Sequence, residues 1–250
     1  MSKQQVSFFW FRRDLRLEDN VGLFHALKSK YTVIPLFIFD DAILDSLPYN
    51  DPRVGFIYEN LSKINTQLLK IESALLVKKG NTFAVWESLL EEFDVAAVFF
   101  NKDYEPYAIK RDSAICELLE TNNAIPFSFK DQVIFEEKEI TKADGLPYTV
   151  YTPFKNKWLE KYKSMAPVLE YDATDVFSNF HKCDFVFPSL EQIGFEKSPI
   201  KVKPHNLKFI ANYQDIRDFP ALDQTSYLSP HLRFGTVSIR KLVNWAFHKN

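Results

Sequence analysis

The chain has 250 residues, enough for one large domain or two modest ones, with 46% apolar and 26% charged residues, the ordinary mix of a protein with a buried core. Its net charge of −2 supplies no global basic field, so contact with nucleic acid would need a local patch or a further region of chain. Cys116 and Cys183 form no metal-ligand or redox spacing, no leader pattern precedes the first strand, and no apolar run approaches the ~20 residues of a membrane span; the reading is a cytoplasmic protein with reduced thiols.

Residues 1–130 alternate strands and helices. Strands are expected at 6–11, 33–39, 74–78 and 96–100, written as continuous apolar runs. Helical spacing joins Leu61, Ile64, Leu68 and Ile71, then Val85, Leu89 and Phe93, then Ile109, Ile115, Leu118 and Leu119, with Cys116 on the same apolar face. Such alternation predicts a Rossmann-like α/β fold, a doubly wound parallel sheet covered on both faces. Ligands of these sheets bind beyond the carboxyl ends of the strands, where Arg12, Arg13, Asp14 and Arg16 fall. No G-x-G-x-x-G follows any strand, and the cluster reads equally as a salt-bridged loop.

From 131 to 200 the periodicity degrades. Prolines punctuate short mixed segments, with one amphipathic run at 154–162. Phe177, Phe180, Phe185 and Phe187 argue that this connection is docked, since a free linker would be more polar. From 201 to 250 the pattern turns helical again. Ser238 is placed to cap a last helix whose Ile239, Leu242, Val243, Ala246 and Phe247 form one apolar face. Before it, Thr225, Ser226 and Ser229 put three hydroxyls and several free amides on a turn that opens a helix. Helix N-termini leave unpaired N–H donors and a partial positive charge, which suits a diphosphate. An ordinary Ser/Thr cap with Pro230 in the first turn is the alternative.

Three stretches carry a family resemblance. F-W-F-R-R-D-L-R-L-E-D-N at 9–20, G-L-P-Y-T-V-Y-T-P-F at 145–154 and Y-Q-D-I-R-D-F-P-A-L-D-Q-T-S-Y-L-S-P-H-L-R-F-G-T-V-S-I-R at 213–240 resemble, in order, the opening, inter-domain and flavin-binding motifs of the photolyase/cryptochrome family. The resemblance implies an antenna domain at 1–130, an inter-domain linker at 131–200 and the incomplete beginning of an all-α FAD-binding domain at 201–250. Carried over position by position, the FAD contacts are Tyr213, Thr225, Ser226, Tyr227, Leu228 and Ser229, which reach only the phosphate end of the cofactor. Arg233 is expected in a helix-surface salt bridge, His231 facing solvent and Trp245 in packing.

The implied activity is that of a deoxyribodipyrimidine photolyase, a carbon–carbon lyase in which light-driven electron transfer from reduced FAD splits cyclobutane dimers in UV-damaged DNA. A cryptochrome-type blue-light receptor and repair of the (6-4) photoproduct remain open. The full-length protein is expected to be a monomer, with no metal and no catalytic side chain in this half. Folate-using members carry Asn-Glu where this sequence has Tyr107-Ala108, which argues against a folate antenna and leaves a deazaflavin, a flavin or none. Glu105 is expected at a helix start and Arg111-Asp112 in a surface ion pair.

Overall fold

The computed structural model describes residues 4–249; residues 1–3, on which part of the no-leader reading rests, and 250 lie outside the described residues. Five strands, β1 (Gln5–Phe11), β2 (Thr32–Asp40), β3 (Leu76–Gly80), β4 (Asp94–Asn101) and β5 (Ile125–Phe129), form one sheet in the order β3-β2-β1-β4-β5. Every pairing is parallel. Alternation along β1 explains why both faces are covered. Val6, Phe8 and Trp10 enter one core with Ile34, Leu36 and Trp86, while Phe9 and Phe11 enter the other with Leu23, Phe37, Phe39 and Leu61. Trp86 meets Phe8 and Trp10 edge-on, each at 5.6 Å between centroids. A buried ring of this kind contributes roughly 1.5–3 kcal/mol, so the sheet is the most strongly stabilised part of the chain.

Pro35 would ordinarily exclude a central strand. It is tolerated because β3 joins β2 only from Leu36 onward, so Pro35, in register with Phe9 of β1, faces no ladder on the β3 side. Sequence periodicity missed β5, since I-P-F-S-F is a half-exposed edge strand without a continuous apolar run.

The helices between strands are α1 (Val21–Leu27), α2 (Asp41–Leu44), α3 (Pro52–Leu69), α4 (Thr82–Glu92) and α5 (Pro106–Thr121). Asn20, Asp51 and Asn81 cap α1, α3 and α4 by accepting from first-turn amides. Ile71 and Phe93 fall just beyond α3 and α4 yet still pack on the cores.

The connection that follows begins with α6 (Tyr151–Met165) and then runs back along the sheet. Phe180 is 1% exposed, Phe177 and Phe187 lie against one core and Phe185 against the other. His181 N donates to Val33 O at 2.8 Å, and Asn179 Nδ2 reaches Leu27 O, Ser29 O and Tyr31 O. Beyond it come α7 (Tyr213–Ile216), α8 (Leu228–Arg233) and α9 (Ile239–Lys249). Ser238 Oγ accepts from Lys241 N, as a cap should.

The face α9 buries differs from expectation. Its most deeply buried residues are Arg240 and Asn244, four apart, whereas Leu242, Val243 and Ala246 are half-buried and Phe247 is exposed. Asn244 exchanges two 2.8 Å bonds with the main chain of Val168, and Tyr162 on α6 donates to Val243 O. Polar side chains dock this helix because it lands on unpaired main chain and buried charge. No helix among the described residues is long and apolar enough to cross a membrane.

Candidate functional site

The carboxyl ends of β1, β2 and β4 meet above the sheet, and the segment after each strand fixes the chemistry there. Arg12 and Arg13 follow β1, Asp40 ends β2, and Asp103 follows β4. A cleft of about 170 Å³ opens among Trp10, Phe37, Phe39, Asp103 and Arg111, and Arg233 and Phe234 at the end of α8 complete its wall. An apolar floor with a cationic rim at this position is where a parallel α/β sheet presents a ligand site.

Arg12 is buried, its guanidinium centred 4.9 Å over Trp10 and 4.8 Å over Phe100. It donates to Asn101 O and to Asp112, but its Nε has no partner among the described residues. Burial lowers its pKa against the pull of Asp112. Arg111 lies 3.0 Å from Asp112 and 3.8 Å from Asp40, with 11% of its side chain exposed. The expected surface pair Arg111–Asp112 is therefore a largely buried network. Tyr107 OH donates to Asp40 Oδ2 at 2.6 Å, and burial followed by that carboxylate pushes the phenol up to about 12. Cys116 is half-buried on the α5 side of the core; burial raises its thiol.

Glu105 is exposed at the start of α5 but does not cap it. It accepts from Arg233 Nη1 at 2.7 Å and from Arg13 Nη1 at 3.3 Å, and these arginines hold its carboxyl below the usual range. Arg233 thus forms the expected salt bridge.

Beside the cleft a second cluster joins the helical segment to the sheet. Asp131, 1% exposed, accepts two bonds from Arg16 Nη2, at 2.9 and 2.8 Å, and one from Arg240 Nη2 at 2.8 Å. Arg240 Nε also reaches both oxygens of Asp19, which takes a further bond from Ser238 Oγ. Burial would raise Asp131, but Arg16 and Arg240 outweigh it and hold the carboxyl below its ordinary value. Asp14 behaves oppositely: burial and then repulsion from Asp131 raise it, against bonds from Arg12 N at 2.7 Å and Asn101 Nδ2 at 2.6 Å. Gly235 completes the joint. Its φ is +61°, and a Cβ there would lie 2.2 Å from Arg13 O. Leu15 N donates to Phe234 O at 3.0 Å across that contact. Sequence reading reached the Arg–Asp motif, and Gly235 and Arg240 only as members of the 213–240 motif, but gave none of Asn101, Asp131, Gly235 or Arg240 a role in this joint. Glycine was the available signal, since the chain has only six.

The turn before α8 is built differently. Tyr227 sits left-handed at φ +51° with no side-chain cap, so the first amides of α8 are left open. The hydroxyls of Thr225, Ser226 and Ser229 have no hydrogen-bond partner among the described residues. Ser226 O accepts from Asn206 N at 2.8 Å, and Lys203 Nζ contacts Asp223 at 2.9 Å and Tyr227 OH at 3.0 Å. Free hydroxyls and amides beside a lysine fit a phosphate group. Tyr213, 57% exposed, has no bond or ring contact with the turn among the described residues. His231 is not simply solvent-facing: it is half-buried, bonded to Thr236 Oγ1 and Lys203 O, and burial lowers its pKa. Trp245, expected in packing, is half-buried on α9 and lines a surface pocket with Leu169, Leu207 and His248. No group of three or more metal-ligating side chains occurs among the described residues.

The parallel sheet with helices on both faces is an α/β, Rossmann-like architecture, here with a cationic, apolar-floored cleft and a docked helical segment. Within that fold class the chain belongs to the DNA photolyase family, whose model matches residues 7–179. It is 31% identical over 258 residues to the deoxyribodipyrimidine photo-lyase of Halobacterium salinarum, covering 94% of this chain and 53% of that one. The crystal structure of a class III photolyase from Agrobacterium tumefaciens matches with a TM-score of 0.75 at 25% identity, over 96% of this chain and 52% of that chain. An archaeal photolyase from Sulfolobus tokodaii, solved with two FAD molecules and an implied novel light-harvesting cofactor, matches with a TM-score of 0.71 at 28% identity, over 99% and 55%. The chain spans about half the length of the curated relatives it matches.

Proposed function

We propose that this chain is the N-terminal, light-harvesting half of a deoxyribodipyrimidine photolyase. In this reading 1–130 is the antenna domain, 131–200 the linker and 201–250 the start of the FAD-binding domain. The observation that carries it is the composite cleft, in which Arg12 and Arg13 of the photolyase opening motif face Arg233 and Phe234 of the flavin motif. A planar chromophore bound there would lie on the Phe37 and Phe39 side with its anionic edge toward the arginines. That chemistry suits a deazaflavin or flavin antenna, and Tyr107, tied to Asp40, argues further against folate.

FAD would be held by its diphosphate on the Thr225, Ser226, Tyr227, Leu228 and Ser229 turn through hydroxyls and amides, with charge-assisted bonds stronger than neutral ones. When bound, reduced FAD supplies the photoexcited electron that splits the dimer; the protein supplies position and electrostatics. UV-damaged DNA would be recognised by parts of the protein outside these residues, and flipping a damaged, poorly stacked base costs least.

By itself the chain offers the catalytic FAD, as distinct from an antenna ligand in the cleft, only a phosphate site, and Tyr213 and Phe219 are more than half exposed nearby. It should therefore be repair-inactive and prone to association. The test compares these 250 residues with the protein at its native length, each given reduced FAD, blue light and a dimer-containing oligonucleotide. Splitting only by the native-length protein is expected. Stoichiometric flavin and splitting with the short chain would overturn the partition, and a flavin-loaded native-length protein that leaves dimers intact would overturn the photolyase reading.

A further inference from the structure

The cleft above the sheet is small for the ligand its position suggests. About 170 Å³ falls below the ~300 Å³ at which small-molecule pockets usually begin, so a tricyclic ring enters only if part of the wall yields. The main chain will not. β1 and β2 are paired through the cleft, and Gly235 already rests against Arg13 and Asp14. What can move are exposed side chains at the mouth, Ile43 and Arg233.

The arginines there differ in how firmly they are held. Arg12 is committed to Asp112 and Asn101 O, and Arg111 to Asp112 and Asp40. Arg13 keeps Asp103 at 3.0 Å even without its second acid. Arg233 has one acidic partner among the described residues, Glu105, and both side chains of that pair are 51% exposed. One oxygen, Glu105 Oε1, receives both Arg233 at 2.7 Å and Arg13 at 3.3 Å. The same two arginines line the cleft, whereas Glu105 sits outside it. A single carboxylate thus bridges a cation of the sheet and a cation of the helical segment across the entrance.

We infer that Glu105 is a built-in competitor for the ligand of this cleft: it holds Arg13 and Arg233 across the mouth until a planar chromophore with an anionic group takes both arginines over. This rests on the antenna reading and adds how that site selects and admits its ligand. Glu105 therefore lowers affinity for ligands whose anionic group must take the two arginines over, and leaves a neutral ring, which does not compete with it, unaffected. Because Arg233 comes from α8, an anion that recruits it also draws the helical segment onto the sheet. By linkage, docking of that segment then favours the ligand equally.

The test is calorimetric titration of the chain, at neutral pH and low salt, with two probes that share a ring, flavin mononucleotide (anionic) and riboflavin (neutral). Glu105→Gln should strengthen flavin mononucleotide binding about two- to tenfold, the worth of two exposed ion pairs, and leave riboflavin nearly unchanged. Arg233→Ala should remove the preference for the anionic probe. Both side chains are half exposed, and unchanged melting of the variants confirms that folding is not the cause. If Glu105→Gln moves neither probe, or moves both equally, the competitor role is overturned while the antenna cleft stands. If neither probe binds the parent chain or either variant, the antenna reading falls and this inference with it.

Discussion

Two parts of the helical segment meet the rest of the molecule only a few residues apart, and they are held in opposite ways. From Phe234 to Asn244 the contacts are buried: Arg240 is 4% exposed between Asp19 and Asp131, and Gly235 touches main chain. From Asp223 to Ser229 the contacts are a surface lysine, one main-chain bond and unpartnered hydroxyls. The first region is finished within this chain. The second has its donors set out and few contacts to hold them. Strong docking thus sits beside a loosely held turn, and the phosphate role proposed for that turn would draw on groups the fold leaves unpaired.

The largest test of this contrast removes the charge at its centre. Asp131→Asn leaves Arg16 and Arg240 buried with one uncompensated charge, a change that costs about 3–5 kcal/mol. Hydrogen exchange should show α9 released while amides of β1 and β4 stay protected; equal loss everywhere would mean the cluster stabilises the whole fold. Its pH dependence has a definite sign. Asp131 is held below its unfolded value of 3.8, so its contribution is present above that pH and is lost as pH falls through the lower folded value. Asp14 is raised above 3.8, so its burial destabilises progressively as pH climbs from 3.8 through its folded value. The two act on opposite sides of pH 3.8, so Asp14→Asn should raise stability above that pH and leave the acid loss through Asp131 as the remaining slope.

Gly235→Ala comes next. The left-handed φ costs an alanine about 1–2 kcal/mol, and the contact with Arg13 O adds to it. Limited proteolysis should open sites after residue 233 with the sheet intact; a variant as resistant as the parent would show that the segment docks without that close approach.

How legible this was in the sequence follows from the same contrast. Strands β1 to β4 and helices α3, α4 and α5 announced themselves through apolar runs or a periodic buried face, whereas the four-residue α2 did not. Nor did β5 and α1, one being a half-exposed edge and the other a seven-residue helix directly after a polar motif. The resemblance singled out the Thr225–Ser229 turn from its residue types, because the phosphate contacts it implies would be written in local hydroxyls. The joint between sheet and helical segment was not readable. Its members, Asp19, Asp131 and Arg240, are up to 221 residues apart, and nothing local distinguishes a buried aspartate from a loop aspartate. For α9 the apolar pattern misdirected, because the helix docks through Arg240 and Asn244.

The smallest expected effect refines the cleft side of the contrast. Tyr107 donates to Asp40, which also caps α2 through Ala42 N and lies near Arg111, so the carboxylate stays partnered when the phenol is lost. Tyr107→Phe should therefore cost about 1 kcal/mol or less. The signature is in the alkaline range. With its folded pKa raised from 10.0 to about 12, Tyr107 keeps its proton in the folded state after the unfolded chain has lost it, so stability falls as pH rises across that window. Tyr104, bonded to Glu136, is also raised, so the parent should lose stability through both phenols. The phenylalanine variant should lose it through Tyr104 alone, giving a shallower alkaline melting profile. Superimposable profiles would mean that Tyr107 points to solvent and that Asp40 Oδ2 is not held by the phenol.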